Sequence, residues 1–375
     1  MPLLDDLPLV DHHCHGIVRG ALDRSRFEAL ISESHRPPAP GTSHFDKPLG
    51  LLVRRDCAPL LDLEPLAPAD RYIARRQEIG PEIVARRLLR ATGIGRYLVD
   101  TGHRSDQVTS PAELADLAAA PCDEVVRIES VIEAAAPGDA AGFAARCEQA
   151  LRTRAAGAVG LKSIVAYRAS FAIDQTRPSP AEVAAAASTW LARLERGPAR
   201  LENPVILRFG LWLGLDLCRE RGLPLQLHVG FGDADVTMHA CDPTHFTGFI
   251  RAAEAVEVPI ALLHNYPFVR EAGWLAEVFQ NAYFDVGAIL NYAGPSALAI
   301  MRHAMELGPF GKHLFSTDAF GLPELYYLGA LQFRRTLGRV LDSWIAEGHC
   351  TAADAEHIAL AIAGGNARRI YPLVG

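Results

Sequence analysis

At 375 residues the chain can form one large domain or two ordinary ones, and it also falls within the roughly 200–400 residues of a (β/α)8 barrel with insertions. Its 49% apolar and 22% charged residues are those of a globular protein, and a net charge of −7 with interspersed signs excludes a basic stripe for nucleic acid or a polybasic membrane patch. The start "MPLLDDLPLV" places acids where a secretory signal is positive, and no run approaches the roughly 18 apolar residues of a membrane span.

In chain order, short apolar runs read as strands: "PLVDHH" (8–13), "YLVDT" (97–101), "VVRIES" (125–130), "AVGLKS" (158–163), "PLQLHV" (224–229), "PIALLH" (259–264), "AYFDVG" (282–287) and "HLFSTD" (313–318). Several are apolar on both faces, as parallel strands covered on both sides are. Between them "SPAELADLAAA" (110–120), "AEVAAAASTWLARLERG" (181–197) and "REAGWLAEVFQ" (270–280) read as helices, with a helix start at Ser179-Pro180. Eight alternations predict an α/β fold, a (β/α)8 TIM barrel. The stretch between the first two strands is too long for one crossover. The expectation is therefore one barrel over 1–375, with 20–95 as a mostly helical cap inserted between strands 1 and 2. The seven cysteines are odd in number and form no CxxC pair, which predicts free thiols in a reduced, cytoplasmic protein.

Polar residues gather where these strands run out, the edge at which a barrel builds its site. Asp11, His13 and His15 are spaced by two, hence on one face. Lys162, His228, His264 and Asp318 end later strands. Imidazole and carboxylate suit zinc and its neighbours, with one position left open for water. His13, His15, His228 and Asp318 are the expected ligands, with Asp318 and His264 as catalytic groups. Each has a plainer reading: a strand-end histidine is often only hydrogen-bonded structure, and Asp318 could be a helix N-cap. His12 and Cys14 alternate to the other face and read as structural. Arg127 and Glu129 at the end of strand three, Asp100 and His103 after strand two, and Arg168, Asp233 and Tyr266 complete the candidate rim.

The segments "VDHHCH", "LQLHVGFGD", "ALLHNYPF" and "LFSTDAFGLPE" together resemble the amidohydrolase superfamily. More narrowly they resemble its aminocarboxymuconate-semialdehyde decarboxylase-like branch. "GLKSIVAYR", "LLHNYPFVREAGWLA" and "GGNARRIY" resemble the amidohydrolase domain of nodulin-type proteins fused to glutamine synthetase. The likeness runs over nearly the whole chain and is weakest in 20–95. It implies a metal-dependent barrel in which His13, His15, His228 and Asp318 hold one metal and His264 polarises water or substrate. In two-metal relatives His264 becomes a ligand and Lys162 a carboxylated bridge; otherwise Lys162, with Arg168 assisting, binds a substrate carboxylate or forms a structural salt bridge, and Arg127 is a further substrate-binding candidate. One zinc per chain is the expectation, with two metals, or manganese or iron, as alternatives. The implied activity is metal-assisted hydrolysis of an amide C–N bond in a small anionic or amino-acid-like substrate. A non-oxidative decarboxylase and a non-catalytic regulatory barrel are the alternatives. The expected partner is a small molecule, with neither nucleic acid nor membrane, and self-association is left open.

Overall fold

Seven of the apolar runs become the strands Leu9–Cys14 (β1), Ile94–Asp100 (β2), Cys122–Arg127 (β3), Gly160–Ser163 (β4), Leu225–Val229 (β5), Ile260–His264 (β6) and Ala282–Phe284 (β7). The computed structural model describes residues 3–374. All strands are parallel and pair in chain order, giving one curled sheet from β1 to β7. Every residue of β1, β4, β5 and β6 is buried, so each strand packs on both faces and its apolar run is near-continuous.

The eighth expected strand, 313–318, forms no regular ladder. The Leu314 N–H donates to the Phe284 carbonyl (2.8 Å) beside β7, and on the other side the His12 N–H reaches the Phe315 carbonyl (3.1 Å) and the Asp318 N–H the His13 carbonyl (3.0 Å). The break has a local cause. Asp11 takes the Thr317 N–H (2.9 Å) and hydroxyl (2.5 Å) into its own carboxylate, and Asp318 turns to φ 47°. The sheet's two edge strands are therefore connected through an irregular segment that carries a candidate site residue. β3 is also shorter than its apolar run: the chain turns helical at Ile128, so Glu129 lies in the first turn of helix 128–135 rather than on the strand.

Helices follow most strands, and two begin with the chemistry their sequences advertise. Ser110-Pro111-x-Glu113 and Ser179-Pro180-x-Glu182 both form reciprocal capping boxes, starting helices Pro111–Ala118 and Pro180–Leu194. Between β1 and β2 lie helices Arg24–Leu30, Pro48–Leu52, Ala69–Ile79 and Pro81–Arg90. Arg76 and Tyr72 of helix 69–79 reach the buried carboxylate of Glu324 (2.7 and 2.9 Å), at the start of the long helix Pro323–Ala346. No helix among the described residues is long and apolar enough to cross a membrane.

Candidate metal centre

Strand alternation sends His13 and His15 to the same side of β1 and His12 to the other. His13 Nε2 and His15 Nε2 stand 3.2 and 3.5 Å from one Asp318 oxygen, and His264 Nδ1 stands 3.3 Å from the other. One donor atom each from His13, His15 and Asp318 lies within 4.8 Å of the others. His228 and His264 stand beside that group, their rings 4.7 Å apart. His228 Nε2 and His264 Nδ1 are buried without a hydrogen-bond partner. A buried polar atom left unpaired costs about 1–3 kcal/mol. Orphaned imidazole nitrogens beside a His–His–carboxylate group fit a divalent ion of zinc-like preference, held by His13, His15 and Asp318 with His228 and His264 adjoining.

The backbone at this edge is itself unusual. His264, Asn265 and Asp318 adopt φ of 69°, 59° and 47°. Left-handed φ in a non-glycine residue costs on the order of 1–3 kcal/mol and persists where surrounding contacts over-determine it. At His264 the contacts are clear: Asp285 Oδ1 accepts its N–H (2.9 Å), while the Asn265 side chain donates to the Leu262 and Asp285 carbonyls (2.7 and 2.9 Å). The Tyr326 hydroxyl likewise donates to the His15 carbonyl.

Gln226 sets the chemistry of His13. Its amide nitrogen donates to the His12 carbonyl (2.7 Å), an acceptor only, so its oxygen faces His13 Nδ1 at 2.9 Å. Nδ1 therefore carries the ring proton, and Nε2 presents a lone pair toward Asp318. The chain of bonds continues through the Tyr371 hydroxyl to His12 Nδ1 (3.0 Å), and His12 Nε2 meets Asp285 (2.8 Å). His12 is a buried strut, and Cys14, its thiol pushed up by burial, donates only to the Leu98 carbonyl.

The three expected substrate cations are already engaged. Register places Arg127, Lys162 and Gln226 side by side across β3, β4 and β5. Arg127 forks onto Asp100 (2.6 and 3.1 Å), and Lys162 Nζ lies between Asp100 (3.3 Å) and His13 Nε2 (2.8 Å). Arg168 binds Glu133 (2.8 Å) and the Leu201 carbonyl. A metal on His13 Nε2 would compete with Lys162 for the same lone pair. Asp233 lines the cavity in front of the cluster, a space of about 1230 Å³, but Tyr266 does not. The left-handed pair His264–Asn265 turns the chain before Tyr266, whose residue surface is 40% exposed. Glu129, off the rim, ties helix 128–135 to Ser163 and the Ile164 N–H (2.5 and 3.0 Å).

Burial alone would raise Asp318 and Asp100, yet both stay well below the usual carboxylate range. His264, His13 and His15 hold Asp318 down, and Arg127 with Lys162 holds Asp100. Burial pushes His13, His228 and His264 below the ordinary imidazole value, and Lys162 adds to the effect on each. Asp318 is thus favoured as the ionised carboxylate and His13, His228 and His264 as neutral imidazoles, the forms in which these groups bind metal.

Gln226 and Asp285 escaped the sequence reading although each left a trace. Gln226 sits two residues before His228, on the same strand face, and Asp285 follows an apolar strand just as Asp318 follows "HLFST".

The family model described as Amidohydrolase matches residues 10–373. Protein fluG of Emericella nidulans is 32% identical over 224 residues, 57% of this chain but 26% of that protein, so the chain spans about a quarter of its relative's length. A crystal structure from Lactobacillus casei, assigned as a metal-dependent hydrolase, is 27% identical with a TM-score of 0.82, covering 98% of this chain and 96% of that one. The uronate isomerase of Thermotoga maritima shares the fold at 13% identity and a TM-score of 0.64, over 98% and 95% of the two chains. The family model spans nearly the whole chain, including His13, His15 and Asp318, and the chain belongs to the amidohydrolase family.

Proposed function

We propose that this protein is a metal-dependent hydrolase that cleaves an amide C–N bond in a small substrate, its barrel capped by the helical segment 20–95. The observation that carries the reading is the His13–His15–Asp318 group with the orphaned nitrogens of His228 and His264 next to it. Zinc held there supplies Lewis acidity toward a carbonyl oxygen and makes water more acidic. The chain's own groups do the rest. Asp318, ionised and 20% exposed at its side chain, takes the proton of an attacking water and returns it to the departing amine. His264, fixed by Asp285 beneath its backbone, polarises the carbonyl or orients the water. Asp100, gripped by Arg127, keeps an ion-pair partner for Lys162 beside the site when a metal takes its place at His13 Nε2.

Metal content and turnover test this together. Protein purified without chelator or histidine tag should carry one equivalent of zinc, and Asp318→Asn should lose metal affinity and amide hydrolysis while unfolding like metal-free wild type. A panel of small amides and carboxylated compounds, read by amine release and carbon dioxide release, identifies the reaction. Release of carbon dioxide without amine would replace hydrolysis by decarboxylation. A chain that takes up no metal even on reconstitution would refute the proposal.

A further inference from the structure

The cavity in front of the metal cluster has a second pole, supplied by the segment between β1 and β2. Glu33 lines this cavity together with Asp233 and Asp318. It is fixed in place: the Tyr292 hydroxyl, from helix 289–293 beyond β7, donates to Glu33 Oε1 at 2.6 Å. Tyr292 is itself held, with Phe231 packed on its ring at 4.9 Å and Lys47 Nζ over the ring at 5.1 Å. Lys47 is occupied by the phenol face, and Glu33 makes no ion pair among the described residues. Burial, with Asp318 and Asp233 nearby, pushes the Glu33 carboxyl above its ordinary value, and Lys47 does not cancel this.

The contrast with the cations of the same wall is informative. Arg24 pairs with Glu28 and Asp70, Arg127 with Asp100, Arg168 with Glu133 and Arg200 with Asp235. Four of the six arginines lining the cavity are thus neutralised from within, Arg36 and Arg104 being the exceptions, whereas Glu33 is a positioned carboxylate with a hydroxyl donor, no ion pair among the described residues, and Lys47 as a nearby positive charge already spent on the phenol face. Such a group is completed by a ligand cation, because a charge-assisted N–H···O bond there replaces a poorly solvated negative charge by a neutral pair.

We infer that Glu33, oriented by Tyr292, is a specificity-determining residue that receives a cationic group, a primary ammonium, on the substrate. Resting on the hydrolase reading, this narrows its substrate to an amide carrying an amine at the end remote from the scissile bond.

The probe is n-butylammonium, with n-butanol and butyrate as neutral and anionic counterparts, titrated calorimetrically into the purified full chain at neutral pH. The expected result is butylammonium binding roughly ten-fold tighter than either counterpart. Glu33→Gln should remove that preference, and Tyr292→Phe should weaken it two- to three-fold, about the loss of one hydrogen bond. Stripping the metal with a chelator should leave the preference intact, which separates Glu33 from coordination of the amine. A preference for butyrate, no binding of butylammonium, or a preference that survives Glu33→Gln would overturn the inference. Loss of hydrolase activity or metal has no bearing on this readout, so the two proposals fail separately.

Discussion

His313 offers a quantitative test of how the sheet closure is built. Its ring is 1% exposed and stacks on Phe284 at 4.8 Å and 7°, with neither ring nitrogen hydrogen-bonded. Burial lowers its pKa from the ordinary 6.5 to about 4. Above pH 6.5 the imidazole is neutral in folded and unfolded chains alike and the shift has no effect. As pH falls from 6.5 toward 4 the unfolded chain takes up a proton that the folded chain refuses, so folding loses stability; below about 4 both are protonated and the loss is complete. At ~1.4 kcal/mol per tenfold change in proton affinity, this loss is about 3 kcal/mol. His313→Phe keeps the stacked ring and removes the titration. Urea denaturation of both chelator-treated proteins, at intervals from pH 7 to pH 4, gives the comparison. The wild type should weaken relative to the variant by about 3 kcal/mol across that window, beneath whatever slope the other groups impose on both. Parallel curves would refute the reasoning and show that the ring nitrogens find partners in solution.

Three further outcomes follow from buried polar contacts. Gln226→Leu should lower zinc affinity about 10- to 100-fold in competition with a chromophoric chelator, while Gln226→Glu, still an acceptor for His13 Nδ1, should retain most of it; equal affinity in all three proteins would show that His13 needs no anchor. Glu324→Gln leaves Arg76, 5% exposed, without its counter-charge, and should cost about 3–5 kcal/mol in urea denaturation. The double variant Arg76→Met, Glu324→Leu should recover much of that loss, because no charge is then left buried alone.

The strands were legible because they are buried on both faces: "PIALLH" is a near-continuous apolar run, and in "PLQLHV" the polar Gln226 and His228 are themselves buried on one face. That His13 and His15 share one side was legible for a simpler reason, since His-x-His on a strand puts two imidazoles there whatever lies around them. The structure departs from the reading where side chains compete with the backbone. Asp11 takes the Thr317 N–H and hydroxyl, so an apolar segment with a strand's composition does not pair as one. Arg127, Lys162 and Arg168 read as free pocket cations because their partners Asp100, Glu133 and His13 lie 27 to 149 positions away, a separation no local pattern reports. Tyr266 lies outside the residues that line the cavity for a backbone reason: two consecutive left-handed residues re-aim the chain before it, and neither is the glycine that would have announced it.

The contacts that escaped the reading share one piece of architecture. Asp285, on the segment after β7, accepts the His264 N–H from β6 and meets His12 of β1; Gln226 of β5 bonds the His12 carbonyl and His13. Four sheet segments are thereby fixed to one another by side chains at the level where the candidate ligands emerge. Regular ladder bonds cannot do this, because β1 and β7 are joined only through the irregular 313–318 segment. A metal site needs its donors held to within about half an ångström. Where the ladder gives way, the buried network from Asp285 to Gln226 supplies that rigidity. Its position at the sheet closure explains why two candidate site residues, His264 and Asp318, can sit in strained backbone conformations.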